Sequence, residues 1–97
     1  MITEFSKRVG IPELQILDGG RSTILIELRF LYWLLLLENG YSMKDIARLS
    51  GFHRTTVVHG IGRIRELLGM KDKRIVRLYE LTKDITREGT FHTISLD

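Results

Sequence analysis

Ninety-seven residues, 43% of them apolar and 28% charged, suffice for one modest core but not two, and they exclude an intrinsically disordered chain. The chain has no cysteine, which excludes disulfides, thiolate metal sites and cysteine nucleophiles and suits a reducing cytoplasm. The net charge of +3 is unevenly placed: residues 41–83 hold ten Lys/Arg against four Asp/Glu, whereas residues 1–40 hold four against five.

The N-terminal "MITEFSKRVG" lacks the apolar stretch of a signal peptide. Ile2, Phe5 and Val9 fall at helical spacing and Gly10 stops that short helix. "PELQILDGG" opens on a proline and closes on two glycines, which suits a turn or a short helix. The longest apolar helix runs from Ser22 or Thr23 to about Glu38. Ile24, Leu28, Leu31 and Leu35 make one stripe, and Leu25, Tyr32 and Leu36 another. Apolar residues all round a helix predict a central one packed on several sides. The alternative is that Trp33–Leu37 is partly exposed and meets a second subunit or a partner protein. Its most apolar run, Phe30 to Leu37, is eight residues, against about 20 for a membrane span, so no membrane role is expected.

Gly40 suits the left-handed end of that helix. Ser42 and Asp45 then form a short capping box for a helix over Met43–Ser50, burying Met43, Ile46 and Leu49. Gly51 breaks it. The next helix starts around His53 and reaches Leu67 or Leu68, with Val57, Ile61, Ile64 and Leu68 inward. A last helix spans about Lys73 to Ile85, with Ile75, Leu78, Leu81 and Ile85 on its apolar face. Residues 1–86 thus form one compact all-α domain, followed by a polar tail over 87–97.

The stretch "YSMKDIARLSGFHRTTVVHGIGRI" has the spacing of a DNA-binding helix-turn-helix. Ala47 is small where the second helix crosses the first, Gly51 can take positive φ in the turn, and Val57 is a branched core residue further on. An ordinary helical hairpin is the plainer alternative. In a helix-turn-helix the first turn of the second helix enters the major groove, and here it carries His53, Arg54, Thr55 and Thr56. Arginine can bond guanine bidentately, and threonine can contact a thymine methyl or a phosphate. His59, Arg63 and Arg65 follow on the same helix, and Lys44 and Arg48 lie on the preceding one. This is where the basic excess sits, as a polyanionic partner requires, although a solvated basic face has the same composition. His53 and His59 lie six residues apart with no third ligand, so no metal is expected.

The segment "RSTILIELRFLYWLLLLENGYSMKDIARLSGFHRTTVVHGIGRI" resembles the C-terminal, DnaA-box-binding domain of the bacterial replication initiator DnaA. That family shows two arginines eight residues apart, a long central helix, Ser-x-x-(Glu/Asp)-Ile-(Gly/Ala), and Thr-Thr-Val-x-His. The matching residues are Arg21, Arg29, Ser42, Asp45, Ile46, Ala47, Thr55, Thr56, Val57 and His59. The resemblance covers roughly residues 2–85. It implies that Arg21 enters the minor groove, that Arg29 supports DNA contact from the central helix, and that Thr55 and Thr56 contact the major groove and phosphates. The family's Gly-Gly-Arg-Asp-His before the threonines is here Ser50 to Arg54, and a basic residue usual late in the central helix is leucine within Leu34–Leu37. The resemblance therefore implies duplex binding but not the standard DnaA box.

The expected function is sequence-specific binding of double-stranded DNA, in a regulatory or replication-related protein of bacterial, phage or mobile-element origin, associated with the nucleoid in the cytoplasm. The competing expectation is a helical protein–protein interaction module with a degenerate DNA site, forming a homodimer or meeting a protein partner through the leucine-rich central helix. No carboxylate pair, nucleophile–base set or phosphate-binding loop suggests an enzyme, and no cofactor is expected.

Overall fold

The computed structural model describes residues 1–19 and 21–86, and every regular element among them is helical. α1 spans Ile2–Val9 and is followed by a five-residue π-type turn, Gln15–Gly19; then come α2 (Thr23–Glu38), α3 (Met43–Ser50), α4 (Arg54–Gly69) and α5 (Lys73–Thr82). The fold is the all-α one expected; the tail expected at 87–97 lies outside the described residues.

α2 is the centre. Ser22 caps it by accepting a hydrogen bond from Leu25 N at 3.2 Å, and its leucines are good helix formers. Leu31, Trp33, Leu34 and Leu35 are each at most 1% exposed, because α3, α4 and the 15–19 turn all pack on this helix. Burying each such side chain stabilises the fold by about 1.5–3 kcal/mol. The leucine-rich run from Leu34 to Leu36 is therefore taken up by the core, and Leu37 at its end is half-buried. At its end Gly40 has φ 96°; its N–H donates to Leu37 O and that of Tyr41 to Leu36 O, satisfying the last carbonyls.

Three inward assignments change. Leu49 is 62% exposed, because the inward stripe of the two-turn α3 runs Met43, Ile46, Ala47, Ser50. Ile24, in the first turn of α2, is also exposed. α5 ends at Thr82 rather than Ile85. Thr82 takes the buried position, with Oγ1 donating to Leu78 O at 2.8 Å, and Leu81 turns outward at 44% exposure. Ile85 stays buried from beyond the helix end.

Arg8 joins the two ends of the domain. Its Nη1 donates to Leu81 O and to Asp84 Oδ1, and its Nε to Glu4 Oε2, each at 2.9 Å. Arg8 in turn holds the Asp84 carboxyl below the usual carboxylate range.

Candidate nucleic-acid interface

The site is built on the α3–α4 pair. Ser42 Oγ accepts from Asp45 N at 3.0 Å, and Asp45 Oδ2 accepts from Ser42 N at 3.3 Å. This is the expected capping box, and those bonds from Ser42 hold the Asp45 carboxyl below its usual range. At the other end of α3, Gly51 adopts φ 78° and ψ 12° and donates its N–H to Ala47 O at 3.0 Å. This left-handed residue ends α3, and α4 begins three residues later.

Phe52 anchors the turn to the core. Its ring meets Trp33 edge-on with centroids 5.1 Å apart, and the Arg29 guanidinium lies over its face at 5.5 Å. Arg29 departs from expectation: it is 6% exposed, and its Nε donates to Ile16 O at 2.8 Å. Burial lowers its pKa. It is not on the outer surface beside the other cations; it links the 15–19 turn, α2 and the α3–α4 turn from inside. The family-like arginine spacing is present, but packing assigns this member of the pair a scaffold position.

On α4 the inward stripe is Val57, Gly60, Ile61, Ile64 and Leu67, with Leu68 half-buried. At about 100° per residue, Thr55, His59, Gly62 and Glu66 then point directly away from the core. Thr56 and Arg63 lie on one flank of that outer face; Arg54, Val58 and Arg65 lie on the other. All of these residues are exposed. His53 precedes the helix with an extended backbone, and its side chain makes no capping bond. Ser22, Ser42 and Asp72 by contrast cap α2, α3 and α5. The first turn of α4 thus presents backbone N–H groups with no side-chain cap.

The remaining cations divide into two sets. Arg48 pairs with Asp45 at 3.1 Å and Arg63 with Glu66 at 2.8 Å. Both pairs are exposed, and such contacts are worth about 0–1 kcal/mol, so a phosphate can replace either carboxylate. Arg21, Lys44, Arg54 and Arg65 are exposed and form no ion pair with any described residue. Arg21 stands on a separate element, just ahead of the Ser22 cap.

Two residues that position the site escaped sequence reasoning. Phe52 had no visible role in a turn; Gly60 lies buried where α4 approaches Phe30 of α2, and a Cβ there would sit 2.5 Å from the ring. A glycine in mid-helix was the available signal, since it marks close approach. Among the described residues no group of three potential ligands could hold a metal ion, and no helix is long and apolar enough to cross a membrane. No protein-family model, no curated protein and no solved structure matches this chain.

Proposed function

We propose that the protein binds double-stranded DNA in a sequence-dependent way, with α3 and α4 as a helix-turn-helix and the first turn of α4 in the major groove. One observation carries this reading: that turn is uncapped and bears the exposed Arg54, Thr55 and Thr56 just past a left-handed Gly51. A helix end with free N–H groups favours phosphate, and Arg54 and Thr55 have the chemistry to read base edges. Lys44, Arg48, Arg63 and Arg21 supply phosphate contacts that hold register without reading sequence. His53, Thr56 and His59 complete the surface. Such a module serves a regulatory or replication-related role at the nucleoid, by analogy with the DnaA-like domain it resembles.

Selection of bound sequences from a random duplex pool, followed by a salt titration on the winner, tests the proposal. An enriched motif is expected. With about four phosphate contacts, log K should fall against log salt with a slope of roughly −3 to −4. Arg54→Ala should relax the selected motif, whereas Arg63→Ala should weaken all sequences alike. A flat salt response, or no binding at low salt, would instead leave an interaction module with a lost DNA site.

A further inference from the structure

A second basic surface lies at the other end of α4. The α4–α5 corner forms an open groove of about 560 Å³ lined by Leu68, Lys71, Lys73, Val76, Arg77, Tyr79 and Glu80. Leu68, Val76 and Tyr79 are half-buried and supply apolar surface; Lys71, Lys73 and Arg77 are exposed around it.

The nearby carboxylates are already engaged. Asp72 caps α5 by accepting from Ile75 N at 3.0 Å, and Glu80 pairs with Lys83 at 2.7 Å. On the neighbouring side Arg74 is bound to Glu27. Lys71, Lys73 and Arg77 form no ion pair with any described residue. Lys73 and Arg77 are like charges one turn apart, an arrangement that disfavours the helix.

Lys71 adds an independent observation. α4 ends with Lys71 N donating to Leu68 O and Asp72 N to Leu67 O, a helix stop whose pivotal residue is normally glycine. Here that residue is Lys71, at φ 59°, the one non-glycine with positive φ among the described residues. A cation occupies a position where glycine carries no steric penalty.

We propose that this groove docks an acidic peptide segment of a partner protein, with an apolar anchor on Leu68, Val76 and Tyr79 and carboxylates on Lys71, Lys73 and Arg77. Its chemistry argues against a duplex there, since a phosphate backbone has little apolar surface to offer the floor. The groove also lies about 22 Å along α4 from the first turn. The inference goes beyond DNA binding and stands without it.

The test uses a fluorescein-labelled peptide carrying two leucines four residues apart flanked by glutamates, read by anisotropy against the full chain. Saturable micromolar binding is expected, weakened about tenfold or more when the glutamates become glutamines or the leucines become serines. Lys73→Glu combined with Arg77→Glu should weaken it similarly. Lys71→Gly should weaken it while raising the melting temperature, which separates lost contact from lost fold. No saturable binding, or binding indifferent to the Lys73/Arg77 reversal, overturns the proposal. So does duplex affinity that falls with those same variants, because the surface would then belong to DNA.

Discussion

Gly51 concentrates the argument for the α3–α4 turn in one residue. Its φ of 78° is strained for any side chain, yet a Cβ built there would meet nothing within 4 Å. The whole penalty of substitution is therefore backbone strain, with no steric clash to confuse it. Gly51→Ala should cost about 1 kcal/mol and Gly51→Val about 1–3 kcal/mol, read by circular dichroism melting. If the angle between α3 and α4 aims the reading turn, duplex affinity should fall further than the melting shift accounts for. A valine variant with unchanged melting and unchanged affinity would remove Gly51 from the site's construction. Arg29 teaches the converse at the same scale. An arginine in a DNA-binding pattern invites a phosphate role, but its guanidinium is bonded to the Ile16 carbonyl and stacked on Phe52.

Between elements, the decisive contact is the approach of α4 to α2. Gly60 is buried against Phe30, whose Cδ1, Cε1 and Cγ would lie 2.5, 2.8 and 3.0 Å from an added Cβ. Phe30 is itself stacked beside Trp33 at 5.5 Å, and Trp33 carries Phe52 of the turn. Displacing the ring therefore disturbs the support of the α3–α4 turn. Alanine favours a helix over glycine by about 1 kcal/mol, but overpacking costs about 1–3 kcal/mol. Gly60→Ala should thus destabilise by roughly 1 kcal/mol, and adding Phe30→Leu should recover part of the loss. Urea melts of the two single variants and the double variant measure that coupling. Additivity would show that the two helices do not meet through this pair.

For the molecule as a whole, pH reports how tightly the core closes. Tyr32 packs against Phe5 with ring centroids 5.4 Å apart, and burial first, then the nearby Tyr41 and Glu13, push its phenol up to about 12 from 10.0. Above pH 10 the unfolded chain releases this proton while the folded one keeps it until about pH 12. The stabilisation is therefore complete below pH 10 and is lost across that window, by about 3 kcal/mol. Tyr79, raised by burial and by Glu38, acts in the same direction. Urea melts on either side of the window should show a smaller drop for Tyr32→Phe than for the parent. An equal drop would mean that the Tyr32 hydroxyl already titrates as if in water.

What could be read from the chain alone was everything settled within a few residues. The Ser42–Asp45 box, the helix stop at Gly10, the left-handed Gly40 and Gly51, and the bounds of α2 and α3 all rest on bonds or backbone preferences spanning four or five positions. The placement of Arg54, Thr55 and Thr56 in the first turn of α4 followed from the same local logic. Burial followed a different rule, because it depends on which distant element arrives opposite a side chain. That is why Arg29 lies inside, Leu49 outside, and Thr82 rather than Leu81 in the core. It is also why Phe52 and Gly60 position the site although neither carries chemistry. The sequence by itself determined the bounds of α2 and α3 and which residues crown the turn; only the packing of α2 against α3 and α4 decided which of those residues face outward.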